Sequence, residues 1–275
     1  MEVLGSRTRY WEYGPRDRPV DLVLVHGYRG DHHGMEPIVS YLPELHIVSP
    51  DLPGFGGSTP TSGTHSISGY ATWLSHFLDA LGLTGTTLLG HSFGSIVVSH
   101  AVAAGVPSPR LVLVNPIAVD AMSGAHRVLV PFTRLYFRIG RALPDRAAHR
   151  WLGNRLATYG MSLMLARTKD RRLRRWIHQE HDRYFGRFSD PTTLAEGYDA
   201  SLSTNVIAAA PALTMPTLIV AGDADSVAPL EGARELAQLL PHAELVVLHG
   251  VGHLIHYEKP AEAAAAIRHF LGAEA

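Results

Sequence analysis

The 275-residue chain contains no cysteine. Disulfides, thiolate metal sites and a cysteine nucleophile are therefore excluded together. Charge of either sign is not in excess: 24 Lys and Arg stand against 25 Asp and Glu, leaving −1, so whole-chain electrostatics point to no acidic or basic partner. Long apolar runs are missing as well. No stretch approaches the roughly 18 residues of a membrane span, and the first residues, Met1 to Arg9, lack the apolar centre of a signal peptide. Internal repeats and low-complexity tracts are absent. The expectation is a cytoplasmic protein that acts on a small molecule, with no nucleic-acid or membrane partner, as a monomer or homodimer. The remaining composition, 46% hydrophobic and 18% charged, is that of a globular chain long enough for a large core.

Strand-like and helix-like segments alternate from residue 20 to about 116 and again from Pro211 to the C-terminus. That alternation implies βαβ units and a mostly parallel sheet flanked by helices. Val20 to Val25 is a near-continuous apolar run of the kind a strand buried on both faces needs. Arg7 to Tyr13 reads as an edge strand, and Leu111 to Pro116 as the strand before the pattern breaks. Residues 117–204 carry no strand signature. There Val128, Phe132, Leu135, Ile139 and Leu143 fall at helical spacing, as do Leu173, Trp176, Ile177 and Tyr184 less regularly. Asp190-Pro191 is a helix start, followed by the stripe Leu194, Tyr198, Leu202. The division expected is a core of 1–116 and 205–275 with a helical cap, 117–204, inserted over the active site.

Chemistry concentrates in a few turns. Ser92 sits in Gly90-His91-Ser92-Phe93-Gly94, between the apolar run Thr86 to Leu89 and a helical segment. This is the G-x-S-x-G elbow in its required strand–turn–helix context. A serine hydroxyl needs a base to be a competent nucleophile, and the chain order expected after such an elbow is an acid, then a histidine. Downstream, the strand Pro216 to Ala221 ends in Gly222-Asp223-Ala224-Asp225, with Pro229 four residues later. A further strand, Ala243 to Leu248, ends in Gly250-Val251-Gly252-His253, followed by Glu258 and Pro260. Upstream, His26-Gly27-Tyr28-Arg29-Gly30 follows the first buried strand, and Asp51-Leu52-Pro53-Gly54-Phe55-Gly56-Gly57-Ser58 follows the next.

In these five motifs and their order the chain resembles the α/β-hydrolase superfamily, over its whole length except residues 117–204. The resemblance implies an α/β-hydrolase fold with a helical cap, and a Ser92–Asp225–His253 triad. It also implies an oxyanion hole from the backbone N–H groups of Tyr28 and Phe93. Asp223 competes with Asp225 for the acid role, but the spacing to Pro229 favours Asp225 and leaves Asp223 to brace the loop. His26 and His91 are expected to pin their loops, Asp51 to hold a turn, and His32 and His33 to be loop residues. His249 and His256 flank His253, but the nearby glycines make paired metal ligands unexpected. No cofactor or metal is implied.

The leading expectation is a cofactor-free serine hydrolase that cleaves an ester or related acyl bond of a small molecule, neutral or anionic, through an acyl-enzyme. Two alternatives stay open. One is C–C hydrolysis or elimination on the same triad, because the upstream motifs are similar to those of the menaquinone-pathway elimination lyase. The other is a slow-turnover binding receptor. A haloalkane dehalogenase is disfavoured, since that role needs Asp where Ser92 stands. Substrate contacts are expected from Arg29, Phe132, Tyr136 and Trp176. The cap holds fifteen basic and eight acidic side chains, +7, and the rest of the chain is −8. That split suggests a lid that draws anionic substrates, with Arg134 and Arg138 as candidates, or a basic cap docked on an acidic body.

Overall fold

The computed structural model describes residues 1–119 and 130–273; Val128, invoked above, lies outside them, as do Asp120 and Arg127, two of the charges counted over 117–204. Short strands β1 (Glu2–Val3) and β2 (Ser6–Arg7) pair into a ribbon of their own. The central sheet then takes β3 (Tyr10–Tyr13), β4 (Leu22–Val25), β5 (Ile47–Pro50), β6 (Thr87–His91), β7 (Leu111–Val114), β8 (Thr217–Gly222) and β9 (Ala243–Leu248). Their order is β3-β5-β4-β6-β7-β8-β9, antiparallel at the β3 edge and parallel elsewhere.

The pleat explains how two layers of helix are served by one apolar run. In β4, Val23 and Val25 enter one core layer and Leu22 and Leu24 the other. β7 repeats this with Leu111 and Leu113 on the first side and Val112 and Val114 on the second. The first layer is filled by α2 (Ile67–Leu81), α3 (Phe93–Ala103) and α9 (Leu230–Leu239). The second is filled by α1 (His32–Val39) and α11 (Pro260–Leu271). Each helix has a chemical reason to begin or stop. Asp31 caps α1 by accepting the His33 N–H, Ser66 caps α2 through Gly69 N–H, and Gly82 closes α2 in the left-handed region at φ +66°.

Between β7 and β8 the chain builds α4 (Val130–Ala142), α5 (Asp145–Leu152), α6 (Arg155–Leu165), α7 (Arg171–Glu180), a π-helical turn at His181–Phe185, and α8 (Pro191–Ser203). α8 starts as expected, with Asp190 accepting from Thr193 N–H and proline at its first turn. α4 departs from the expected phase. Its buried residues are Val130, Phe137 and Gly140, whereas Phe132, Leu135 and Ile139 face solvent. The helix carries two apolar stripes, and residue spacing alone does not say which one turns inward. A one-turn helix, α10 (Ile255–Glu258), precedes α11.

Candidate active site

β4, β6, β8 and β9 all deliver their chemistry from their carboxyl ends, on one edge of the sheet. Ser92 follows β6 directly, and the turn into α3 is so abrupt that its backbone lies at φ +52°, ψ −117°. For a residue with a side chain that is a strained conformation, held by its surroundings. Ser92 N–H donates to Val114 O at 3.0 Å, and Ser95 Oγ donates to Ser92 O. Closeness of the chain on either side requires glycine: a Cβ on Gly94 would stand 2.2 Å from Val25 O, and one on Gly90 2.4 Å from Gly94 O.

The loops after β8 and β9 bring a carboxylate and an imidazole to this hydroxyl. His253 Nε2 lies 2.7 Å from Ser92 Oγ, and His253 Nδ1 lies 2.8 Å from Asp225 Oδ2. The other oxygen of Asp225 accepts the Val227 and Ala228 N–H groups at 2.7 and 2.9 Å. Burial pushes the Asp225 carboxyl up, but the His253 ring and these donors outweigh it and hold the group below the usual range. Asn115, itself at φ +45°, ties the loops together: its Nδ2 donates to Gly252 O and its Oδ1 accepts from Gly222 N–H. Asp223 is exposed and bonds His249 and Gly250 N–H instead.

On the other side, His26 Nε2 accepts the Leu52 N–H at 2.9 Å, which leaves Nδ1 to donate to Gly27 O at 2.8 Å. The Tyr28 and Phe93 N–H groups have no acceptor among the described residues. Asp51 is buried, makes no hydrogen bond to the relay and holds its own turn, accepting from His32 N–H, His32 Nδ1 and Gly57 N–H. His32 and His33 are not loop residues; they open α1, and with Asp31 they form a group with ligand-sized spacing. Their Nδ1 atoms are engaged by Asp51 and Asp31.

These groups surround a cavity of about 620 Å³. Ser92, Phe93, His253 and Tyr28 form one wall. Ile117, Val130, Met161, Leu165, Leu254 and Tyr257 supply apolar surface opposite. The volume suits a small to medium organic molecule. Asp31 and Glu180 also line it, and no Lys or Arg does among the described residues. His91, His181 and His256 line it as uncharged rings. Burial pulls His91 down to about 3, with the His253 ring adding to the effect, and His181 down to about 4, with His178 adding. It also pulls His256 well below the ordinary value.

The expected substrate contacts fall elsewhere. Arg29 is 3% exposed, but its guanidinium donates to Phe185 O and Leu152 O, so it clamps the inserted helices to the loop after β4. Phe132 is 69% exposed on the outer face of α4. Tyr136 spends its hydroxyl on Trp151 O, and Trp176 packs edge-on against Tyr257 at the surface. None of the described arginines of the insert lines the cavity, so a lid that draws anions would act at long range and not by contact. The ion pairs that the insert's arginines make among the described residues do not reach the rest of the chain either. Arg134, Arg155 and Arg183 pair with Asp199, Asp182 and Glu180, all within the insert. Sequence reading missed His181, His256 and the Met161–Leu165 wall. Only His256, three residues after His253, carried any signal.

Comparison with known proteins agrees with this geometry. The chain is 28% identical to epoxide hydrolase A of Mycobacterium tuberculosis, over 98% of its own length and 96% of the relative's. It is 27% identical to the pimeloyl-[acyl-carrier protein] methyl ester esterase of Xanthomonas oryzae pv. oryzae, over 88% and 92%. Among solved structures, the enol-lactonase of Burkholderia xenovorans LB400 superposes with a TM-score of 0.81 at 22% identity, covering 98% of both chains. The family model described as the alpha/beta hydrolase fold matches residues 22–260. With its sheet order, its strained serine turn and a match across most of its length, the chain belongs to the α/β-hydrolase fold family and is an enzyme of that hydrolase class.

Proposed function

We propose that this enzyme hydrolyses carboxylic esters of uncharged, largely apolar molecules through an acyl-enzyme. The observation that carries the reading is the Ser92–His253–Asp225 relay, with spacings of 2.7 and 2.8 Å, opening on a largely apolar cavity that no Lys or Arg lines among the described residues. Ser92 Oγ attacks the ester carbonyl while His253 Nε2 takes its proton. Asp225, ionised and buried, fixes the ring with Nδ1 protonated and stabilises the imidazolium. The unbonded N–H groups of Tyr28 and Phe93 receive the oxyanion; loss of one such donor typically costs about 10²–10³ in rate. The imidazolium then protonates the departing alcohol. Water, deprotonated by His253, frees the acid. The helices of residues 117–204 act as the cap that shapes the acyl pocket.

Similarity to an epoxide hydrolase does not redirect the chemistry. Opening an epoxide with Ser92 would leave an ether on the serine, with no carbonyl for water to attack. Elimination or C–C cleavage of a dicarboxylate is disfavoured for a different reason, because among the described residues no Lys or Arg lines the cavity. The test is a panel of p-nitrophenyl esters of graded chain length with one anionic member. A pre-steady-state burst of nitrophenol, with kcat/KM rising with chain length, is expected. Absence of a burst for every ester, with no acylation of Ser92, would reject the reading.

A further inference from the structure

α6 carries its large apolar side chains on the face that does not pack. Leu156, Tyr159 and Leu163 recur at intervals of three and four, one helical face. All three are exposed, Leu156 by 81%, while Thr158, Ser162 and Leu165 face inward. α4 does the same, with Phe132, Leu135 and Ile139 outward and Val130 and Phe137 inward. Trp151 and Trp176, also exposed, belong to the same insert. Over the rest of the described chain the exposed large hydrophobics are Met1, Leu4, Tyr41 and Leu239, scattered singly. Single exposed leucines are ordinary, but such concentration on one segment marks a surface that something covers.

Two observations identify the cover. The first is charge. This segment holds +7 in sequence, and Arg171, Arg172 and Arg175, in the helix after α6, are exposed and reach no carboxylate among the described residues. Apolar faces flanked by arginine match an anionic apolar interface. A second copy of this chain would instead bring two strongly basic segments together. The second observation is continuity. Met164 is 41% exposed yet lines the cavity, with Leu163 on its outer side and Met161 and Leu165 within. One apolar path therefore leads from the outer face of α6 to Ser92.

We infer that the outer face of α6, with the arginines of the neighbouring α7, docks this protein on an anionic lipid surface, and that apolar substrate enters past Met164. The contact is interfacial. No helix among the described residues is long and apolar enough to cross a membrane, which was the ground for expecting no membrane partner.

The test is co-sedimentation of the full chain with vesicles of phosphatidylcholine alone and of phosphatidylcholine with phosphatidylglycerol. Binding is read without substrate, so the result is separate from the fate of the hydrolytic reading. The wild-type protein is expected to bind the anionic vesicles and to be released by high salt. A Leu156→Ser/Leu163→Ser variant and an Arg171→Glu/Arg172→Glu/Arg175→Glu variant should each lose about tenfold or more in partitioning. Both should keep the wild-type kcat/KM on a soluble short-chain ester, which reports that they fold. Equal binding by wild type and both folded variants would overturn the inference, as would no binding to either vesicle. A concentration-dependent dimer abolished by the leucine pair would assign the face to a second copy and overturn it as well.

Discussion

Asp223 and Asp225 stand two residues apart on one loop and have opposite surroundings. Asp225 has no exposed side-chain surface and sits against His253, whereas Asp223 is about one-third exposed and sits against His249. The chain turns after β8, with Asp225 N–H donating to Gly222 O, and that turn sends one carboxylate to His253 and the other to His249. Asp225→Asn should therefore lower kcat by up to about 10⁴, by presenting the wrong partner to the ring. Asp223→Asn should change it by less than about tenfold, because it loses only loop bracing. Steady-state kinetics of the two variants decide the matter, and a reversed order would move the acid to Asp223.

Ser92→Ala and His253→Ala should each reduce kcat by about 10⁴-fold or more, and the double variant should be scarcely worse than either. Residues that act as one unit give non-additive losses. Multiplicative losses in the double variant would separate His253 from the nucleophile.

Among the described residues the cavity is lined by Asp31 and Glu180 and by no Lys or Arg, which predicts its charge preference. An ester carrying a carboxylate must enter beside Asp31 and Glu180, and its kcat/KM should lie at least about tenfold below that of a neutral ester of the same shape. Raising the salt concentration should narrow that gap, because screening weakens repulsion. Arg134→Glu and Arg138→Glu should leave both soluble esters unchanged. A gap that favours the anion and shrinks with salt would restore steering by the arginines.

Much of this site was readable from residue order, and the reason is backbone geometry. Gly90, Gly94 and Gly222 are where the chain passes so close to itself that a Cβ would collide with backbone, and such turns write themselves into sequence. The buried strands were equally plain, since two-sided burial demands an uninterrupted apolar run. Phe132 shows where legibility ends. Its helix is apolar on two faces, and the choice between them depends on what Val130 and Phe137 find beneath them. Arg29 illustrates a second limit. A guanidinium near a catalytic loop suggests a carboxylate ligand, yet its acceptors are the Leu152 and Phe185 carbonyls, 123 and 156 residues away in sequence.

Acid should weaken the fold early. His91 and His181 are held neutral down to about 3 and about 4, with His26 and His256 also shifted down, mainly by burial. In the unfolded chain these rings take up protons near the ordinary value of 6.5. Below that value the unfolded state binds more protons than the folded one. The stability they contribute is thus complete above about 6.5 and is lost as pH falls toward the folded values. Each ring steepens the loss by up to about 1.4 kcal/mol per pH unit. Chemical denaturation at pH 7.5, 6 and 5 should show stability falling before carboxylates titrate, and a smaller fall in His91→Gln. A flat profile down to pH 5 would contradict the burial of neutral rings.

Replacing Arg29 by Met should lower stability by about 2 kcal/mol, because two buried carbonyls lose their donors. The same change should raise KM for long esters more than it lowers kcat. Thermal melts and steady-state kinetics together test this, and an unchanged melt would mean that the two carbonyls find other donors.

The clamp made by Arg29 also bears on how the enzyme opens. Its guanidinium joins the end of α5 and the end of the π-helical turn to the loop that carries Tyr28. Lifting the inserted helices as a hinged flap would strand a buried cation beneath them. They form a roof bolted from below. With that roof fixed, Met161 and Met164, which line the cavity, are the side chains whose rotamer changes would widen the way to Ser92 without the swing of a domain.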